Sequence, residues 1–131
     1  MVAKLLDALN DRGRSLKGSR ILILGVAYKR DIDDDRESPA YKLMELLERK
    51  GAQFAYHDPY VPFLKRSRRY DFGLHSVPLT ADELAAADAT IIATDHSDFD
   101  YESIVRASRL VIDTRNATRN VTTGREKIVG A

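Results

Sequence analysis

The sequence contains no cysteine among its 131 residues. That excludes a disulfide-stapled scaffold, a thiolate metal site and any thiol nucleophile on this chain. Nor is there an excess of either charge: 21 Lys+Arg stand against 20 Asp+Glu, a formal net charge of +1. A general nucleic-acid binder would carry a basic excess, so that class is disfavoured. With 31% charged residues and no long apolar run, the chain offers no transmembrane helix. Its first residues, Met1-Val2-Ala3-Lys4-Leu5-Leu6-Asp7, are too acidic and too short in apolar content for a signal peptide. The expectation is one cytoplasmic globular domain, since 44% hydrophobic content over this length suits a single core.

Apolar residues that are present fall into helix and strand periods. Val2, Leu5, Leu6 and Leu9 lie at i, i+3, i+4 and i+7, which predicts an amphipathic helix over residues 2–12, ending before Gly13. Ile21-Leu22-Ile23-Leu24-Gly25-Val26 reads as a strand buried on both faces. Ser38-Pro39 opens a helix, with Ser as N-cap and Pro in the first turn, whose inner face is Ala40, Leu43, Met44 and Leu47. Gly51 ends it, and Ala52 to Tyr56 form the next strand, leading into His57-Asp58-Pro59. Residues 59–78 contain Pro59, Pro62, Pro78 and the basic run Lys65 to Arg69, and are expected to be irregular. Thr80-Ala81-Asp82-Glu83 is a capping box for a short helix through Ala87. A strand over Ala89 to Thr94, a helix over Tyr101 to Ala107 and a strand over Leu110 to Asp113 complete the pattern. This alternation predicts an α/β fold: a Rossmann-like, doubly wound parallel sheet in three α/β/α layers, with ligands beyond the C-terminal ends of the strands.

At the first strand-to-helix turn, Gly25-Val26-Ala27-Tyr28-Lys29-Arg30 has one glycine where G-x-G-x-x-G has three, and no G-x-x-x-x-G-K-[ST] sequence exists. The nest of amides that grips a pyrophosphate is therefore expected to be missing or incomplete. The turn offers Lys29 instead, a point charge suited to phosphate or carboxylate, with Tyr28 beside it to supply a ring face or hydroxyl. Arg36 in the same loop and Arg115 after the last strand bring three cations to one end of the predicted sheet. The plainer alternative is that Asp31, Asp33, Asp34, Asp35 and Glu37 pair with Lys29, Arg30 and Arg36 on the surface, where such pairs contribute only ~0–1 kcal/mol. The acidic run lacks the glycine and terminal glutamate of an EF-hand, so no metal is assigned. His57, His75 and His96 have no partners at ligand spacing and no serine sits in a nucleophile elbow, so no catalytic residue is assigned. Lys65 to Arg69 has neither aromatic interleaving nor a recognition-helix pattern and reads as a solvated loop.

Four stretches together closely resemble one family: Gly25-Val26-Ala27-Tyr28-Lys29, Asp33-Asp34-Asp35-Arg36-Glu37-Ser38-Pro39-Ala40, Tyr56-His57-Asp58-Pro59-Tyr60 and Asp113-Thr114-Arg115-Asn116. They are similar, in order and spacing, to the C-terminal domain of the UDP-glucose/GDP-mannose dehydrogenase family, most of all its UDP-N-acetylhexosamine 6-dehydrogenase branch. The likeness spans roughly residues 16–120. It implies an oxidoreductase of polysaccharide biosynthesis that oxidises the C6 hydroxyl of a nucleotide sugar to a carboxylate, using two NAD molecules and a cysteine thiohemiacetal. The cysteine and the principal NAD site belong to domains outside this chain. The resemblance further implies that Tyr28, Lys29 and Arg115 contact the UDP-sugar and that Arg36 touches NAD across an interdomain cleft. Arg30 departs from the family, which usually has proline after the lysine.

On this reading residues 1–14 are the end of a helix arriving from a dimerisation region, and residues 15–131 are the nucleotide-sugar-binding domain. The chain alone is expected to be inactive, to bind UDP weakly, and to work with the remaining domains in a homodimer, without nucleic acid or membrane. Two alternatives stand beside it: a nucleotide-binding or regulatory module without catalysis, and a scaffold that keeps the core but binds neither UDP nor UDP-sugars.

Overall fold

β1 (Arg20–Leu24) is the second strand of a five-stranded sheet, next to its central strand. The computed structural model describes every residue except Met1, Tyr28, 32–37 and 67–69. Its other strands are β2 (Gln53–His57), β3 (Ala89–Ile92), β4 (Val111–Asp113) and β5 (Ile128–Gly130), and the sheet runs in the order β2-β1-β3-β4-β5. All four pairings are parallel: Leu22 lies opposite Ala55 on one side and Thr90 on the other, Ile91 opposite Ile112, and Ile112 opposite Val129.

The alternation along the central strands sorts side chains into two cores. Ile21, Ile23, Ile91 and Ile112 pack on one face with Leu5 and Leu9 of α1 (Val2–Asp11) and Met44 and Leu47 of α2 (Pro39–Arg49). Leu22, Leu24, Ile92 and Val111 pack on the other with Leu84 of α3 (Ala81–Ala86) and Ile104 and Val105 of α4 (Tyr101–Ala107). Both faces of a parallel sheet must be covered, which is why these strands read as continuous apolar runs. The three expected layers are present, and the stripe of α1 finds its partner within this chain.

Both N-cap hydroxyls act as the sequence suggests, while the Glu83 carboxylate of the expected capping box meets Arg20 at 3.6 Å. Ser38 Oγ accepts the Ala40 amide at 3.2 Å with Pro39 at the first helical position, and Thr80 Oγ1 accepts the Glu83 amide at 3.2 Å. Residues 59–78 carry no regular helix among those described. An antiparallel bridge between Phe63 and His75 closes the segment on itself, and the Val77 amide donates to Tyr56 O at 2.8 Å, tying it to the edge of β2. β5 and the 3₁₀ turn before it (Arg125–Lys127) were not foreseen: Ile128 and Val129 are the only apolar residues there, half-buried, and the strand exists because its backbone completes the ladder on β4. Arg30 bonds beyond its own loop, whose acidic residues 33–35 and 37 lie outside the described residues. It reaches Asp95, beyond β3, at 2.6 Å.

Strand order places the topological switch point between β1 and β3, because connections run outward in opposite directions from these two strands. The loops leaving their C-terminal ends, residues 25–31 and 93–98, are where a ligand of this fold belongs.

Candidate functional site

Gly25 starts the turn after β1 at φ +85°, and a Cβ there would lie 2.5 Å from Thr94 Cβ and 2.7 Å from Thr94 O. Only glycine combines that backbone angle with that approach. The next two amides point inward at a carboxylate of this same chain: Val26 and Ala27 donate to Asp58 Oδ2 at 2.8 and 3.0 Å. Asp58, at the end of β2, also accepts the Tyr60 amide on Oδ1 at 2.8 Å and meets His96 Nε2 at 2.9 Å. Burial opposes ionisation of Asp58, but the His96 bond and the Val26 and Tyr60 amides outweigh it and hold the carboxyl below its usual range.

This arrangement bears directly on NAD. In a dinucleotide-binding turn these amides face a pyrophosphate. Here Asp58 takes them, and the described residues of this turn do not fit a dinucleotide phosphate.

The far side of the turn is fastened to the loop after β3. The Asp31 amide donates to His96 Nδ1 at 2.8 Å, and the Asp31 carboxylate accepts the Ser97 amide and hydroxyl, each at 2.7 Å. Thr94 Oγ1 donates to Ala27 O at 2.7 Å. Lys29 stands exposed between these anchored segments.

Arg115 reaches the same edge from β4. Asp113, 4% exposed, ends that strand and gathers the loop beyond it: Oδ1 accepts the Arg115 and Ala117 amides, and Oδ2 accepts the Thr118 amide and hydroxyl at 2.8 and 2.6 Å. Burial opposes the Asp113 charge, and the Thr118, Arg115 and Ala117 bonds prevail, holding its carboxyl below the usual range. Arg115 Nε donates to Ala93 O at 3.0 Å, next to Thr94. Ala27, two positions before Lys29, and Arg115 are thus both bonded to the segment that follows β3. A cleft of about 310 Å³ opens alongside, lined by Arg30, Asp95, Ser97, Tyr101, Arg119 and Asn120 among others; neither Lys29 nor Arg115 lines it. The Tyr101 phenol at its wall is pushed up chiefly by burial.

Of the four residues singled out from sequence, the structure brings Lys29 and Arg115 to one edge, while Tyr28 and Arg36 lie outside the described residues. Asp58, Thr94, His96 and Asp113 shape the site and were not assigned to it from sequence. The Asp-Pro step after an apolar run was the one signal available for Asp58. His96 stands 38 positions from Asp58, and no local pattern joins them.

A doubly wound parallel sheet with helices on both faces and Lys29 and Arg115 in loops at its C-terminal edge defines the class of Rossmann-like α/β domain. Residues 22–120 match the UDP-binding domain of the UDP-glucose/GDP-mannose dehydrogenase family, and the chain belongs to that family. It is 37% identical over 115 residues to UDP-glucose 6-dehydrogenase AglM of Haloferax volcanii, covering 86% of this chain and 26% of that protein. It is 34% identical over 125 residues to UDP-N-acetyl-D-mannosamine dehydrogenase of Pyrococcus horikoshii, covering 92% of this chain and 27% of that protein. Among solved structures, the UDP-D-ManNAc dehydrogenase of Pyrococcus horikoshii superposes with a TM-score of 0.76 at 28% identity, over 98% of this chain and 29% of the other. The NDP-N-acetyl-D-galactosaminuronic acid dehydrogenase of Methanosarcina mazei gives 0.77 at 25% identity, over 99% and 27%. The chain spans about a quarter of the length of the relatives it matches.

Proposed function

We propose that this chain is the nucleotide-sugar-binding domain of an NAD-dependent UDP-sugar 6-dehydrogenase, with residues 1–14 the end of a helix linking to a dimerisation region and residues 15–131 the binding unit. The observation that supports the reading is that the loops after β1 and β4, which carry Lys29 and Arg115, are both bonded to the segment after β3, through Thr94 Oγ1 to Ala27 O and Arg115 Nε to Ala93 O. Lys29 offers an ammonium to the diphosphate, Arg115 offers guanidinium donors to the nucleotide, and Tyr28 offers a ring or hydroxyl beside them. By the family resemblance, Arg36 is the residue assigned to contact NAD held by the rest of the enzyme.

The whole enzyme oxidises the C6 hydroxyl to a carboxylate, a four-electron change for which two NAD molecules accept two hydrides. This chain contributes neither the thiol nor the main NAD site: it has no cysteine, and Asp58 fills the amides of its first turn. Its part is to hold and orient the nucleotide end of the substrate. The full-length protein is a cytoplasmic homodimer in this reading. Among the described residues no helix is long and apolar enough to cross a membrane.

Saturation-transfer NMR with UDP, UDP-N-acetylglucosamine and NAD tests the proposal. Saturable binding of UDP and the UDP-sugar is expected at roughly millimolar affinity, because a site shared between domains loses preorganisation when they are absent. Selective binding of NAD would refute it.

A further inference from the structure

Lys29 lies between two held segments, and one buried ring joins the two holds. Upstream, the Val26 and Ala27 amides are fixed on Asp58 Oδ2. Downstream, the Asp31 amide is fixed on His96 Nδ1. His96 Nε2 then closes the circuit on Asp58 Oδ2 at 2.9 Å. The donors leave one arrangement. A backbone amide can only donate, so Nδ1 is the acceptor and carries no proton; the Asp58 carboxylate, already taking two amides on the same oxygen, accepts the Nε2 proton. His96 is 0% exposed, with the Tyr60 ring 4.8 Å and the Phe99 ring 5.5 Å from it, so protein rather than solvent surrounds the imidazole.

We propose that His96, as the neutral Nε2–H tautomer, is a positioning residue for nucleotide binding: it couples Asp58 to Asp31 across the switch point and so presets the turn that carries Lys29. The proposal rests on the reading of Lys29 as a ligand of the UDP diphosphate. Its physical content is preorganisation. A turn already ordered before the ligand arrives avoids the ordering cost on binding. His96 touches no ligand in this account and acts only through the turn.

Two substitutions separate the halves of the bridge. His96→Asn retains an acceptor near the Nδ1 position and loses the donor to Asp58; His96→Gln retains a donor near Nε2 and loses the acceptor for Asp31. The test uses the 131-residue chain at neutral pH. In the wild type, ¹⁵N shifts of the His96 ring should show a protonated Nε2 and an unprotonated Nδ1. Amide exchange at Val26 and Ala27 should quicken in His96→Asn, and at Asp31 in His96→Gln, by about tenfold or more, with Ile91 and Ile112 unchanged. UDP affinity should fall about tenfold in both variants while Lys29 is intact. Folded variants with wild-type exchange in the turn, or wild-type UDP affinity, would overturn the proposal. So would an Nδ1–H tautomer or an imidazolium in the wild type, a measurement that needs no variant. A wild type that binds no UDP would instead refute the nucleotide-sugar reading, and the ring shifts and exchange rates would still decide the His96 linkage by themselves.

Discussion

Replacing Gly25 by alanine tests the geometry on which the site depends. The residue sits at φ +85°, and the added Cβ would meet Thr94 Cβ at 2.5 Å, Thr94 O at 2.7 Å and Thr94 N at 2.9 Å. Two of those three atoms are backbone, so relief requires the end of β3 to move rather than a side chain to turn. The left-handed conformation costs alanine about 1–2 kcal/mol, and forcing atoms into a filled space costs about 1–3 kcal/mol more. The total, about 2–5 kcal/mol, is a large part of the ~5–15 kcal/mol that holds a domain folded. Gly13→Ala is the control: its φ is +72° with nothing within 4 Å of the added carbon. It bears the conformational cost and the same gain from a stiffer unfolded chain, so the difference between the variants isolates the contact with Thr94. Urea unfolding followed by circular dichroism, with unchanged slope, should place Gly25→Ala below Gly13→Ala by about 1–3 kcal/mol. Two variants equal within about 0.5 kcal/mol would refute the close approach of the two switch-point loops.

Four further outcomes follow from the carboxylates, the α1 stripe and the exposed ion pair. Asp58 and Asp113 have folded-state values below their usual 3.8, so the unfolded chain binds more protons as acid is added; their stabilisation is complete above that value and is lost as pH falls through the depressed ones. A pH series of urea midpoints should therefore fall below about pH 4, and less steeply in Asp113→Asn; a midpoint flat down to pH 3 would contradict this. Asp113→Asn itself should lose about 1–3 kcal/mol at pH 7, measured by urea unfolding, because its amide group presents donors to the Thr118 amide and leaves buried groups unpaired. Leu9→Ala should cost about 2–5 kcal/mol by the same measurement, since Leu9 is 0% exposed in the core shared by α1 and the sheet. Arg30→Ala should leave the urea midpoint close to that of the wild type despite its 2.6 Å contact with Asp95, because the arginine side chain is 55% exposed and solvent screens the pair; a large drop would contradict this.

The regular elements were legible where local chemistry alone decides them. Ile21 to Leu24 read as a strand buried on both faces because each successive side chain enters a different core. The Ser38 and Thr80 caps and the helix over Tyr101 to Ala107 depend on residues a few positions apart. β5 was hidden because two apolar residues carry no period, and its pairing with β4 is a property of the assembled sheet. The site divides along the same line. Lys29 and Arg115 could be read because any parallel sheet of this order delivers loop cations to its C-terminal edge. The Asp58–His96 bridge could not, since it spans β2 and β3 and depends on the turn amides also reaching Asp58. The failed glycine fingerprint and that bridge are two views of one fact: the chain's own carboxylate stands where a dinucleotide fold places phosphate.

The central claim is that the switch-point edge holds the nucleotide of a UDP-sugar through Lys29. Its most direct test is chemical-shift mapping of the ¹⁵N-labelled chain titrated with UDP, beside Lys29→Ala. The account predicts saturable shifts at Lys29, Arg30, Asp31, Thr114 and Arg115. Lys29→Ala should weaken UDP by about 1.5–3 kcal/mol and leave the fold unchanged. Shifts confined to α1 and β5, or UDP affinity unchanged in Lys29→Ala, would contradict it.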